Sequence, residues 1–213
     1  MKITTNANDL RLLIFEADIF ACRDKGQPAE LGCILFERHE NKLLAISTDR
    51  FRLGVTSIDV KYDRVPTDWS AMVHHRDLRS LLASVKAIGT PRTQRTCEVT
   101  IQQAKHQLTF GLPTLNSTFD VVQRDKFPDW RKIVTGNSYR AGTGSALVKP
   151  CFFGDFNKVV RTPGEDNALI ETSAAPGGPT RITVGSHFVG LLMPVKDSPE
   201  NNLAGVARAD LGI

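Results

Sequence analysis

Residues 31–60 read LGCILFERHENKLLAISTDRFRLGVTSIDV, and this stretch decides the fold. It contains three strand-like runs, LGCILFER, KLLAIST and FRLGVTSIDV, with Asn41 at the turn between the first two. Consecutive strands joined by such short turns pair in antiparallel fashion. The stretch therefore predicts a three-stranded antiparallel meander.

A short strand and a helix precede this meander. Residues 1–5 can form the strand, and Asn6 or Asn8 can cap a helix that runs to about Cys22. The apolar positions of that helix recur at helical spacing, at Leu10, Leu13, Ile14, Ala17 and Ala21. Together these elements form one β-α-β-β-β unit.

The same order of elements occurs twice more along the chain. The second copy has a strand at Ser70–His74, a helix from about His75 to Ile88, and strands at residues 96–102, 107–113 and 116–122. The third copy has a strand near Ser145–Lys149, a helix that begins at Pro150, and strands at residues 167–173, 180–186 and 187–195. Three such units predict an α+β fold with helices on one face and antiparallel sheets on the other.

The repeat also predicts the domain organisation. Residues 1–124 hold two units and form a full domain, whereas residues 138–195 hold the third unit and form half of one. Residues 125–137 form a linker between them, and the polar residues 196–213 form a flexible tail.

Three short motifs resemble sequences of bacterial DNA sliding clamps, the β subunits of DNA polymerase III. AISTDRFRLGV (residues 45–55) resembles a strand-turn-strand in the family's middle domain, and KFPDWRKIV (126–134) resembles the linker between its middle and last domains. FVGLLMPVK (188–196) is similar to the family's final strand. The motifs follow the family's order, and the resemblance extends over residues 1–196. It implies the DNA-clamp fold.

The chain departs from the family in two respects. Clamps of this family have three full domains, whereas the first domain and the first half of the last are missing here. In addition, Arg50–Phe51 stands where the family has a Gly-His pair. The resemblance therefore implies a compact version of the clamp.

The resemblance implies a hydrophobic groove that docks peptides of DNA polymerase and clamp loader. By position, the groove consists of Leu31, Thr48, Arg52, Leu53, Pro128, Lys132, Ile133, Phe152, Leu191, Leu192, Met193 and Pro194. Its apolar walls would take leucine and aromatic anchors, and Arg52 and Lys132 would meet acidic flanks. The leucines are equally compatible with ordinary core packing, and Arg50–Phe51 leaves the preferred peptide open.

The resemblance also implies a surface that slides on double-stranded DNA through sequence-independent phosphate contacts. The residues expected to face DNA are His75, Arg76, Arg79, Lys86, Lys149, Lys158 and Arg161. Charge alone does not distinguish DNA-facing helices from helix faces that are simply solvated. The resemblance favours a DNA-facing role for the second and third helices. The first helix mixes acidic and basic residues, so whether it faces DNA stays open.

The sequence predicts neither enzymatic activity nor a cofactor. It has no G-x-S-x-G motif, its cysteines Cys22, Cys33, Cys97 and Cys151 form no C-x-x-C pair, and the adjacent His74 and His75 point apart. GTPRTQR (89–95) is expected to be a basic, proline-broken loop and not a phosphate-binding loop. With no secretory segment and no apolar run of the ~18 residues that span a membrane, we expect a cytoplasmic protein.

These observations predict a sliding clamp that acts as a polymerase processivity factor. The alternative is a clamp-fold adaptor or decoy that binds replication proteins without encircling DNA. For a ring we expect head-to-tail contacts and favour a homotetramer over a trimer, because four chains supply all the helices that line a family ring. The last residues, RADLGI (208–213), resemble clamp-docking peptides and either occupy the groove or form a disordered end.

Overall fold

A computed structural model describes residues 1–123, 127–135, 141–142, 146–161, 167–175 and 177–195. The strands are β1 (Lys2–Asn6), β2 (Cys33–His39), β3 (Lys42–Thr48), β4 (Arg52–Asp59), β5 (Lys61–Asp63), β6 (Ser70–His74), β7 (Glu98–Ala104), β8 (Gln107–Leu112), β9 (Leu115–Asp120), β10 (Ala141–Gly142), β11 (Ala168–Ser173), β12 (Thr180–Val184) and β13 (Phe188–Leu192). The helices are α1 (Ala7–Phe20), α2 (Leu78–Ala87), α3 (Pro91–Thr96), α4 (Trp130–Thr135) and α5 (Pro150–Gly154), with 3-10 segments at Ala29–Gly32 and Asp155–Val159.

Two antiparallel sheets organise these elements. One has five strands in the order β5-β1-β7-β8-β9, and the other has eight in the order β10-β11-β12-β13-β4-β3-β2-β6. The larger sheet joins the domain to the third unit through five residue pairs between β4 and β13. The antiparallel α+β fold and its three meanders, predicted from the sequence, are thereby confirmed.

The first two units interlock by exchanging their first strands. The strand β1 leaves the meander of its own unit and pairs with β7 of the second unit. Conversely, β6 of the second unit pairs with β2 of the first. Each meander therefore receives its outer neighbour from the other unit, and neither unit is complete alone.

The helices α1 and α2 pack against the inner faces of both sheets. Asn6 caps α1, since its side-chain oxygen accepts a hydrogen bond from the Asp9 amide at 2.9 Å. The apolar stripe predicted for α1 is confirmed in the core, where Leu10, Leu13, Ile14 and Ala17 are fully buried. Leu78, Leu81 and Val85 of α2 are fully buried there as well. This core is the one shared by the first two units.

The third unit has a smaller core, to which α1 contributes. Phe20 from the end of α1 packs among Phe156, Val159, Ile182 and Phe188. The helix expected to begin at Pro150 is short: α5 gives way to a 3-10 segment after Gly154, and Phe153 of α5 is 40% exposed. The strand expected near residues 145–149 is not formed at 146–149, whereas β10 is an element that the sequence did not predict.

The linker packs as a structural element. Phe127, Trp130 and Val134 cover the outer face of the larger sheet, opposite the helices. Trp130 donates a hydrogen bond from its indole nitrogen to Glu37 Oε2 at 3.1 Å. Residues 125–126 and 136–137 of the predicted linker and the whole predicted tail, residues 196–213, lie outside the described residues.

The segment 91–96, expected as a loop, is helix α3. Thr90 caps it, and Pro91 lies in its first turn, where the backbone N–H that proline lacks would have no hydrogen-bond partner within the helix. Within the described ranges, no helix is long and apolar enough to span a membrane.

Candidate functional site

Exposed cations lie along the helical side of the domain. Arg76 precedes α2, and Arg79 and Lys86 lie on it; all three side chains are exposed. None of the three forms an ion pair within the described part of the chain, so their charges are available to an anionic partner. These residues were predicted to face DNA, and that assignment stays a prediction.

Helix α3, which like α2 packs against α1, carries Arg92 and Arg95, and both are exposed. Gln94, on the opposite side of α3, is buried and joins the helix to its neighbours: it donates to the Gly89 carbonyl at 2.8 Å and accepts from Arg11 Nε at 3.1 Å. Sequence reasoning missed these two arginines because it assigned them to a loop. We call Arg76, Arg79, Lys86, Arg92 and Arg95 the basic surface.

His75 does not belong to that surface, contrary to expectation, because its side chain is buried with 2% exposure. Its Nδ1 lies 2.8 Å from Asp18 Oδ1 and 3.0 Å from Arg23 Nη1. Burial lowers the pKa of His75, although Asp18 opposes that shift. His75 is therefore a neutral packing residue between α1 and the start of α2.

Arg161 is also not available to DNA. Its guanidinium forms a bidentate ion pair with the buried Glu16, at 2.6 Å to Oε1 and 2.7 Å to Oε2. It donates further hydrogen bonds to Thr56 Oγ1 at 2.9 Å and to the Ser57 carbonyl at 3.1 Å. Glu16 neutralises the charge of Arg161, and these contacts join the third unit to α1 and β4. Lys158 is exposed, but it forms an ion pair with Asp155.

A tight turn at residues 48–52 shapes the predicted groove. Thr48 donates from its hydroxyl to the Arg52 carbonyl at 2.7 Å, and Asp49 Oδ1 accepts from the amides of Phe51 and Arg52 at 3.0 and 2.7 Å. Arg50 takes a left-handed backbone conformation with φ of 77°. This turn holds the Phe51 side chain outward, where it is 56% exposed.

Aromatic and cationic side chains gather around that turn. The rings of Phe51 and Phe152 stack with centroids 6.0 Å apart. The Arg52 guanidinium lies 4.5 Å from the centroid of Phe152, and Lys149 Nζ lies 5.5 Å from it. Met193, which is 41% exposed, donates its amide to the Phe51 carbonyl at 2.8 Å. We call Phe51, Arg52, Lys149, Phe152 and Met193 the Phe51 cluster.

The leucines assigned to the groove lie in the cores instead. Leu53 and Leu191, 4% and 3% exposed, pack under the linker with Trp130. Leu192 is fully buried on the other side of β13, with Phe20, because neighbouring residues of a strand point to opposite faces. Leu31 is 4% exposed. The assignment of these four leucines to an open groove is therefore wrong.

The remaining groove residues divide between two places. Thr48 is buried in the turn, and Pro194 follows Met193 directly. Ile133 is 38% exposed on α4, and Lys132 of the same helix pairs with Asp129 at 3.1 Å, while Pro128 just precedes the helix. The structure thus brings Arg52, Phe152 and Met193 together in one cluster and places the linker residues on the outer face.

Across the described residues, no group of three or more His, Cys, Asp or Glu side chains is arranged to hold a metal ion. The Phe51 cluster and the basic surface are therefore the two candidate functional regions.

Comparison with known proteins identifies the fold. No protein-family model and no curated protein matches the chain. Solved structures do match: the DNA polymerase III β subunit of Thermotoga maritima has a TM-score of 0.75 at 12% identity, over 93% of this chain and 66% of that one. The putative β subunit of Eubacterium rectale has a TM-score of 0.73 at 16% identity, over 92% and 66%.

The sliding clamp of Bacillus subtilis gives a similar result, with a TM-score of 0.73 at 14% identity, over 93% of this chain and 65% of that one. The chain thus has the clamp fold that its sequence motifs predicted. It spans slightly less than two thirds of the length of these clamps.

Proposed function

We propose that the protein is a DNA sliding clamp, a non-enzymatic processivity factor that encircles double-stranded DNA and docks replication proteins. The observation that carries this proposal is the basic surface on the helical side of a clamp-fold domain. Its cations project from α2, from α3 and from the residue before α2, and they have no ion-pair partners among the described residues. Such charges suit phosphate contacts that are independent of sequence, as sliding requires.

The Phe51 cluster supports the docking part of the proposal. The exposed Phe51 ring and Met193 offer an adaptable apolar contact, and the exposed Lys149 places positive charge beside it, whereas Arg52 is buried and already paired with Asp49 and Asp155. The peptide that fits this chemistry has an apolar anchor next to acidic residues. DNA polymerase and clamp loader are the partners proposed to supply such peptides.

The ring is proposed to be a homotetramer, with a trimer as the alternative. Each chain contributes one full domain and one half domain. Four chains therefore supply six domain equivalents, whereas three chains leave one half domain without a counterpart.

Retention on DNA tests the proposal. Chains assembled in the presence of a closed circular plasmid should remain on it in high salt, where phosphate contacts are screened. Cutting the plasmid once should release them, because a ring slides off a free end. Equal retention on circular and linear DNA would contradict encirclement.

One observation favours the second candidate, an adaptor that binds replication proteins without enclosing DNA. The outward face of α1 carries Phe15, which is 42% exposed, and an exposed apolar ring does not suit a wall that faces phosphates. A native mass of one chain at micromolar concentration would favour this adaptor over the ring.

A further inference from the structure

Helix α1 exposes an aromatic ring on the side that faces away from the core. Leu10, Leu13 and Ala17 bury the inner side of the helix and are 0% exposed, whereas Phe15 is 42% exposed. A single exposed apolar side chain is common on soluble proteins. Its significance here comes from its neighbours.

Contacts on either side of Phe15 place it beside the helices that carry the basic surface. One turn before it, Arg11 donates from Nε to Gln94 Oε1 of α3 at 3.1 Å. One turn after it, Asp18 Oδ1 lies 2.8 Å from Nδ1 of His75, just before α2. Residues three and four positions apart share a face of a helix. Phe15 therefore lies between these two contacts, on the side of α1 that borders α2 and α3.

The charge that surrounds the ring on α1 is positive. Arg11 donates to two neutral groups, the Gln94 amide oxygen and Asn8 Oδ1, and forms no ion pair within the described residues. The acidic residue of the same face, Asp18, pairs with Arg23 at 2.8 Å. The acid beside Phe15 is thus compensated, whereas the cation beside it is not.

Two cations of the basic surface lie along one face of α2. Arg79 and Lys86 are exposed and about two helical turns apart, with Leu82 between them. Leu82 is half-buried and packs against the core that α1 shares, so this face lies at the margin between core and solvent. The ring of α1 and the cations of α2 therefore belong to one helical surface.

An exposed ring among uncompensated cations has the chemistry of a surface that binds single strands. The cations meet the phosphates, and the ring stacks on a base of any sequence, because every base has a flat π face. In an undistorted duplex the base pairs stack on each other, and their faces are covered. Duplex DNA therefore explains the cations but gives Phe15 nothing to contact.

We propose that α1 and α2 form a binding surface for single-stranded DNA, on which Phe15 stacks against an unpaired base and the cations around it contact the neighbouring phosphates. These cations are Arg11, Arg79 and Lys86. The inference rests on the part of the proposed function that assigns phosphate contacts to the basic surface, and it adds a second form of DNA. A processivity factor meets both forms, because copying takes place where duplex gives way to unpaired template.

Fluorescence anisotropy tests this surface with a labelled oligothymidylate, which does not pair with itself, and with a labelled duplex of the same length. Phe15→Ala should weaken the binding of oligothymidylate on the order of tenfold, the loss expected for one stacked base, and should leave duplex binding unchanged. Phe15→Leu keeps an apolar side chain without a ring and should show the same loss. Phe15→Trp keeps a ring and should retain the affinity. Its tryptophan fluorescence should fall on binding by more than that of the wild type.

Leu115→Ala is the control, since Leu115 is a similarly exposed apolar residue, 49% exposed, on β9 of the smaller sheet. It should leave both affinities unchanged. Circular dichroism should show that all variants are folded, because each change is at an exposed position. Equal affinity for oligothymidylate in the wild type and in Phe15→Ala overturns the proposal. Equal losses of affinity for oligothymidylate and duplex also overturn it, because the ring then does not distinguish unpaired bases.

The same measurements separate this proposal from the ring. Binding of oligothymidylate that depends on Phe15, together with equal retention on circular and linear plasmid, supports the stacking surface and contradicts the ring. Salt-sensitive binding of duplex without affinity for oligothymidylate overturns the stacking surface and leaves the ring in place. Absence of binding to either form overturns both the stacking surface and the basic surface as a DNA contact.

Discussion

Gly54 and Gly190 stand directly opposite each other on β4 and β13, at the junction of the domain and the third unit. Aromatic rings cover both. A Cβ atom on Gly54 would lie 2.5 Å from Cδ2 of Phe20, and one on Gly190 would lie 2.3 Å from Cε1 of Phe156. The two rings have their centroids 5.1 Å apart. The absence of side chains on this glycine pair lets α1 and the third unit meet over the sheet.

Alanine at either glycine should therefore destabilise the fold. We expect Gly54→Ala and Gly190→Ala each to lower the free energy of unfolding by about 1–3 kcal/mol, because the ring above must shift within a packed core. Urea denaturation measures the change. Gly154→Ala is the control, since no atom lies within 4 Å of the added Cβ, and it should not destabilise the protein. Wild-type stability in both test variants would contradict this packing.

Leu192, the last residue of β13, and Met193, which follows it, should respond oppositely to aspartate. Leu192 is fully buried, so Leu192→Asp should unfold the chain, as expected for a charge placed in a core. Met193 is 41% exposed, so Met193→Asp should leave the chain folded and weaken the binding of an acidic peptide with a leucine and a hydrophobic anchor. For the wild-type protein we expect micromolar binding, about −8 kcal/mol. Fluorescence polarisation measures the binding, and unchanged affinity in Met193→Asp would exclude the Phe51 cluster as the docking site.

The basic surface should determine how DNA binding depends on salt. Reversing the charge at Arg76 and Arg79 together should weaken binding on all sequences and reduce the slope of log K against log salt by roughly one unit per lost phosphate contact. Reversing Arg92 and Arg95 should act in the same way. Lys105→Glu, in the turn between β7 and β8, is the matched control on an exposed cation away from these helices. Equal slopes in all variants would rule out this surface.

Acid should destabilise the protein in part through His75. Burial lowers the pKa of His75 below the value of 6.5 that it has in the unfolded chain. The unfolded chain therefore takes up a proton first as the pH falls below 6.5, so stability is full above that pH and is lost as the pH falls towards the folded pKa. His75→Gln should flatten the dependence of the urea midpoint on pH in this range. The pKa of His74 is also lowered by burial, so part of the slope should remain. An identical pH profile in the variant would contradict the assignment.

Periodicity was sufficient to predict most of the fold. The alternating runs of residues 31–60 gave the first meander, and the spacing of Leu10, Leu13 and Ala17 gave α1, since local pattern and final burial agree there. The helix α3 was missed, although Thr90 followed by Pro91 is a signal for the start of a helix.

The site was harder to predict because its residues acquire partners from distant parts of the chain. The local sequence pattern predicts that Arg161 is an exposed cation. In the structure, Glu16, which lies 145 residues earlier, forms an ion pair with it and neutralises its charge. Likewise, the His75 ring is hydrogen-bonded to Asp18, which lies 57 residues earlier in the chain. The strand pattern of Leu191 and Leu192 shows that they face opposite ways, but only the packing of Phe20 and Trp130 shows that both faces are covered.

The larger sheet runs from the domain into the third unit without a break, and the linker helix lies across its outer face. Separating the domain from the third unit would break the β4–β13 pairing and expose Trp130. Separating two chains would break only the contacts between those chains. Each chain is thus one continuous unit. If chains of this kind form the proposed ring, the gate through which DNA enters would be a seam between chains, and any machine that opens the ring would act at that seam.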